Sequence, residues 1–205
     1  MHKHILTAQQ IELLPLIKEF AQEFYLVGGT AIALYIGHRR SIDFDLFTQQ
    51  DLKRRRIKRL IEKHEFIATE ILYEASEQLH LVVNDVKLTF FQFPHAVEHP
   101  IKFENIIQLP SLLDLAAMKA YALGGRAKWK DYVDLYFLLK DHFCLQEISA
   151  HAKKMFERFF NEKLFREQLA YFEDIDYREQ VEFVETEISD AEVKEFLTEV
   201  ALTPF

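Results

Sequence analysis

The sequence predicts an α+β protein: a small mixed sheet flanked by helices, followed by a C-terminal helical region. Three observations carry this. Short apolar runs bounded by turn residues fill the first half. From Ser111 onward the apolar spacing is mostly helical. Five Gly and five Pro against nineteen Phe and eight Tyr describe a compact, helix-rich chain. With 205 residues, 49% of them hydrophobic, the chain can bury one generous core. The expected organisation is an α/β core over 1–108 and a helical region over 109–205 packed on it as one compact domain.

In chain order, Thr7 and Gln10 form a capping box that opens a first helix, which Pro15 kinks or restarts. FYLV at 24–27 is a short strand ending in Gly28-Gly29, and TAIALYIG after it is a helix. SIDFDLF is a second strand, and 50–65 is a charged helix. ATEILYEA, EQLHLVVN and VKLTFFQF are strands, the last two joined by a hairpin at Asn84-Asp85. Beyond the prolines at 94, 100 and 110 the strand signal ends. SLLDLAAMKAYAL, KDYVDLYFLLKDHF, QEISAHAKKMFERFF, NEKLFREQLAYF and SDAEVKEFLTEVAL are helices.

The single cysteine, Cys144, cannot form an internal disulfide, and Phe143 and Leu145 beside it predict a packed thiol. The N-terminus breaks its apolar residues with charges and a proline, unlike a signal peptide, and no run is long enough to span a membrane; the expected compartment is the cytoplasm. The net charge of −8 is concentrated in the tail, where residues 173–199 hold eleven acids against Arg178 and Lys194. The remainder is near neutral, with basic runs at 38–40, 53–59 and 126–130 that can meet a polyanion or simply be solvated helix faces. The acidic tail can screen those runs or face a partner.

The chemistry concentrates in LVGGTAIALYIGHRRSIDFDLF, residues 26–47. On a strand, Asp43 and Asp45 project to one face while Ile42, Phe44 and Leu46 point to the core. Two carboxylates so held suit hard divalent cations such as Mg²⁺, whose usual further partner is a nucleotide phosphate. Gly28 and Gly29 permit a sharp turn and close approach of a ligand, and Thr30 is typed as the N-cap of the next helix. Free amides there suit an anion such as a triphosphate.

The order strand, Gly-Gly-Thr, helix, basic loop, strand with alternating aspartates resembles motif one of the polymerase-beta-like nucleotidyltransferase superfamily. More narrowly, GGTAIALYIGHRRSIDFDLF looks like the AbiEii/AbiGii toxin family of type IV toxin–antitoxin pairs. LPSLLDLAAMKAYALGGRAKWKDYVDLYFLL, 109–139, is similar to that family's second block, so the match covers about residues 20–140. The resemblance implies a minimal nucleotidyltransferase fold that moves a nucleotidyl group from an NTP to an acceptor hydroxyl, with two Mg²⁺ ions. Asp43 and Asp45 would be the metal ligands. Gly28, Gly29, Thr30, Arg39, Arg40, Ser41 and Lys119 would contact the nucleotide. Asp131 and Asp134 would complete the metal site, orient Lys119, or pair with Lys128 and Lys130. Read without the family, Lys119 lies on the wet side of an amphipathic helix near Asp114. Relatives in the broader toxin group modify tRNA ends, which implies an RNA acceptor held by the basic runs, and toxin pairs imply a cognate antitoxin. Superfamily members place a third carboxylate on a later strand, where this chain has Thr89 in VKLTFFQF. A catalytically decayed nucleotide-binding or interaction module is the alternative that this threonine raises.

Overall fold

The computed structural model describes residues 1–184 and 186–204; Glu185, one of the tail acids, lies outside them. Two compact units divide the chain, Met1–Ser111 and Leu112–Phe205, three residues beyond the expected boundary.

The first unit begins with a 3-10 turn and α1 (Ala8–Phe20). Thr7 accepts the Gln10 backbone amide while the Gln10 side chain accepts that of Thr7, the expected capping box. Pro15 lies inside α1 without ending it. Both Pro15 and Ile11, whose carbonyl loses its helical partner, face solvent, so water can satisfy the orphan. β1 (Tyr25–Val27), α2 (Gly28–Ile36), β2 (Phe44–Thr48), α3 (Arg54–Lys63), β3 (Ala68–Glu74), β4 (Gln78–Val83) and β5 (Val86–Gln92) follow. The expected helix over 50–65 starts only at Arg54. β6 (Ile101–Phe103) and β7 (Ile107–Leu109) pair as a small hairpin that the sequence did not signal, because each strand has three residues in a proline-flanked segment.

The five-stranded sheet has the order β1-β2-β5-β4-β3. Only β2 and β5 run parallel; the other pairs are antiparallel. β4 and β5 join at Asn84-Asp85, both at positive φ (51° and 60°), as a hairpin turn of this kind requires. One face is fully buried: Phe44, Leu46, Leu79, Leu81, Leu88 and Phe90. Phe20 of α1 and nearby Phe24 pack edge-on against Phe90 at 4.9 and 5.3 Å. Alternation therefore sends Asp45, Thr89 and His80 to the opposite face.

The second unit is helical: α4 (Leu112–Leu123), α5 (Trp129–Asp141), α6 (Leu145–Phe156), α7 (Glu162–Leu169) and α8 (Asp190–Ala201). Each falls where the 3.6-residue period placed one. Cys144 corrects an expectation: its thiol is exposed rather than packed, because the residue caps α6, where its side chain accepts the Glu147 amide. A capping side chain must turn out of the core to reach the helix end.

Candidate functional site

In the first unit, β1 runs directly into α2, whose first residue is Gly28 at φ +73°. The glycine is needed twice. Left-handed backbone disfavours other residues, and a Cβ at Gly28 would lie 2.1 Å from Oδ2 of Asp45. Asp45 is the cross-strand partner of Val27, the residue before that glycine, which is why the carboxylate meets the turn. It makes no hydrogen bond or ion pair among the described residues.

Two expectations for this region are corrected. Thr30 is not the N-cap of α2. That place belongs to Val27, and Thr30 is buried in the first turn. Its hydroxyl donates to the Asp43 carbonyl and bonds Ser41 Oγ at 2.9 Å. Gln10 Nε2 reaches the same carbonyl at 3.5 Å. Thr30, Ser41 and Gln10 thus fix the backbone that carries Asp43. The second correction concerns Ile42, which is 58% exposed. β2 begins only at Phe44, so the regular alternation does not extend back to Ile42, and Asp43 sits on the entry loop.

Of the basic run 38–40, His38 and Arg39 are buried. A Cβ on Gly29 would come within 2.5 Å of an Arg39 guanidinium nitrogen, and that side chain also donates to the Arg40 carbonyl at 2.9 Å. The run braces the glycine turn more than it offers a track for a polyanion. Arg126, Lys128 and Lys130 are engaged as well: Arg126 Nε pairs with Asp131 at 2.9 Å, and both lysines reach Glu179 in the acidic tail. Here the tail does screen a basic run. The run 53–59 presents most of its cations to solvent. It lines an open groove of about 720 Å³, in whose wall Arg54 and Lys58 share Glu74, while Lys53 and Arg56 also share Glu23, which lies outside that lining. Arg55 and Arg59 make no ion pair among the described residues.

Thr89 stands where the third-acid argument put it, as the direct β5 neighbour of Asp45. It is 8% exposed, and its hydroxyl has no hydrogen-bond partner among the described residues. On its other side Thr89 pairs with His80 of β4, which pairs with Tyr73 of β3. Burial, then repulsion from Lys87, holds the His80 imidazole below its ordinary pKa, with Asp45 pulling the other way. Sequence reasoning overlooked His80 and read Gln10 only as part of the capping box. The available signal for His80 was a lone histidine at an alternating position of EQLHLVVN.

In the second unit, Lys119 is buried rather than wet. Its ammonium lies 2.7 Å from Asp131 and 2.9 Å from Asp134, both fully buried, while Asp114 pairs with His151 instead. The i, i+3 spacing on α5 presents both carboxylates to one cation on α4. Burial pushes the Asp131 carboxyl up, but the charges of Lys119 and Arg126 outweigh it and hold the group below the usual carboxylate range. Both aspartates thus neutralise the Lys119 ammonium.

A sheet whose glycine turn faces an unpaired aspartate invites comparison with known folds. The chain is similar to JHP933 of Helicobacter pylori (TM-score 0.58, 17% identity, 96% of this chain and 91% of that one). It is also similar to MenT4, a nucleotidyltransferase toxin of Mycobacterium tuberculosis H37Rv (TM-score 0.60, 13% identity, 95% and 82% covered). At these identities the likeness is one of fold. In sequence, it is 35% identical over 179 residues to the uncharacterized protein aq_aa25 of Aquifex aeolicus (strain VF5), covering 85% of this chain and 84% of that protein. The profile described as nucleotidyl transferase AbiEii toxin, type IV toxin–antitoxin system, matches residues 16–203, a span that holds the glycine turn, both aspartates and the Lys119 cluster. The chain therefore belongs to the AbiEii family of nucleotidyltransferase toxins.

Proposed function

We propose that this nucleotidyltransferase moves a nucleotidyl group from an NTP to a hydroxyl of RNA, a tRNA end by preference, and that a cognate antitoxin restrains it. The observation that carries the reading is the Asp45 carboxylate, without a hydrogen-bonding partner among the described residues and pressed against Gly28 at the start of α2. A carboxylate left without a partner beside free helix amides suits a charged ligand that brings its own cation.

Asp43 and Asp45 would hold Mg²⁺, two ions when the nucleotide is present. Among the described residues no group of three or more His, Cys, Asp or Glu side chains can cage a metal alone. That fits Mg²⁺, which takes one or two carboxylates and completes its shell with water and phosphate oxygens. When bound, the metal supplies charge neutralisation along the triphosphate. The amides of Gly28 and Gly29 would receive phosphate oxygens, family resemblance assigns Arg40 to the nucleotide as well, and Thr30, Ser41 and Arg39 keep the turn in shape. Lys119, held by Asp131 and Asp134, is assigned to a nucleotide phosphate by family resemblance. Arg55 and Arg59 in the α3 groove are the preferred contacts for an RNA backbone. No helix among the described residues is long and apolar enough to cross a membrane, and the cytoplasm, where tRNA and NTPs meet, is the proposed compartment.

Incubation with Mg²⁺, labelled NTPs and total RNA tests the proposal. Label should enter RNA with the wild type and not with Asp43→Ala or Asp45→Ala protein. Equal labelling by all three would overturn it. The second reading, a decayed nucleotide-binding module, is favoured by Thr89 in the third-acid position and predicts Mg²⁺-dependent NTP binding without pyrophosphate release.

A further inference from the structure

Asp45, Thr89, His80 and Tyr73 form one row across four adjacent strands, on the face turned away from the buried core. Neighbouring strands are about 4.8 Å apart, so Thr89 occupies the gap between the carboxylate and the imidazole. The next row on this face is covered: Phe93 lies 5.2 Å from Phe47, and His99 stacks on Tyr25 at 4.4 Å. The Asp45 row keeps access to solvent, with Asp45 and His80 half-buried and Tyr73 exposed. Its one deeply buried member, Thr89, has a hydroxyl with no partner among the described residues.

An unpartnered buried hydroxyl is destabilising, and valine would fill the same volume without that cost. The groups facing it are the Asp45 carboxylate on β2 and the His80 imidazole on β4, which Tyr73 packs against at 5.4 Å between ring centroids. A small polar group seated over Thr89 would meet the metal-binding aspartate on one side and a ring nitrogen on the other.

We propose that Thr89 and His80 form the acceptor subsite, in which the Thr89 hydroxyl donates to the oxygen of the attacking hydroxyl and the His80 ring nitrogen accepts its hydrogen. This deepens the nucleotidyl-transfer reading and rests on it for the identity of the acceptor. It gives the row a division of labour: the Gly28 end takes the triphosphate, and the β4 side takes the group that attacks it. The threonine in the third-acid position is then a hydrogen-bonding floor rather than a lost ligand, and His80 supplies the acceptor that a threonine alone lacks.

The test compares binding of tRNA ending in a 3′-hydroxyl with the same tRNA ending in a 3′-deoxy nucleotide, to wild type, Thr89→Val, His80→Ala and His80→Gln. The wild type should prefer the hydroxyl end by about fivefold, the worth of one or two hydrogen bonds. Thr89→Val and His80→Ala should lose the preference, and His80→Gln, whose amide oxygen can still accept, should keep part of it. Affinity for Mg²⁺·NTP should stay within twofold of wild type throughout, and Thr89→Val should have a Tm no lower than wild type, since the hydroxyl it removes is unpaired. A wild type that does not discriminate, variants that still do, or variants that lose NTP affinity would each overturn the subsite. Discrimination that vanishes in the variants, in a protein that never transfers label, would leave the subsite standing and remove the transfer reading instead.

Discussion

The carboxylate of Asp45 rests against the α-carbon of Gly28, so closely that a methyl group there would lie 2.1 Å from Oδ2. Gly28→Ala is therefore expected to do two things. The left-handed backbone charges alanine about 1–2 kcal/mol, and the new Cβ must push the aspartate aside. Urea denaturation should show a loss of about 1–3 kcal/mol, and Mg²⁺-dependent NTP binding should weaken by more than that loss of folded fraction explains.

Thr30 offers a finer test of the loop that carries Asp43. Thr30→Val keeps the shape but removes the hydroxyl that bonds both the Asp43 carbonyl and the Ser41 hydroxyl. A destabilisation of about 1–3 kcal/mol follows from leaving buried groups short of a partner. Thr30→Ser should recover most of it in thermal melts, because the hydroxyl, not the methyl, makes the contacts.

The Lys119 cluster is predicted to be the most sensitive point of the second unit. Lys119→Met leaves two fully buried carboxylates, Asp131 and Asp134, without their shared ammonium. Breaking a buried ion pair from one side costs about 3–5 kcal/mol. Adding Asp131→Asn and Asp134→Asn to the same protein should restore much of the loss, and chemical denaturation of the single and triple variants measures both.

Acid stability follows from two depressed carboxyls. Burial opposes ionisation of Glu179, but Lys128 and Lys130 prevail and bring it down to about 2 from 4.5. Because the folded value is the lower one, its stabilisation is complete above about pH 4.5 and is lost as pH falls toward 2. Asp131, depressed from 3.8, acts in the same direction over the acid range below that value. Unfolding free energy should thus decline below pH 4.5 on account of these groups. Glu179→Gln should flatten that decline, as read from denaturation at stepped pH.

Much of this was legible in the chain because the relevant signals are local. The capping box at Thr7, the helical periods after Ser111 and the Asn84-Asp85 turn each need only a few neighbouring residues. Thr89 was found through the superfamily resemblance, which asks for a third carboxylate on a later strand, and the structure pairs that position with Asp45. What escaped depends on partners distant in sequence. Thr30 is a good N-cap by type, yet its hydroxyl turns to a loop eleven to thirteen residues on. Cys144 sits between apolar residues, and only the start of α6 makes it a cap. Lys119 looked solvated until Asp131 and Asp134 were seen to neutralise it, since burial of a charge is decided by what surrounds it in space.

β2 sorts its residues by parity: Phe44 and Leu46 are buried completely, while Asp45 and Phe47, which alternate with them, are only partly covered. A single-residue insertion ahead of Phe44 would exchange the two sets, burying a carboxylate and wetting a phenyl ring in one stroke. The strand has no intermediate frame in which to be partly right. A deep mutational scan of 44–48 should show melting failures at Phe44, Leu46 and Thr48 and folded but inactive proteins at Asp45, while one-codon insertions and deletions score as unfolded.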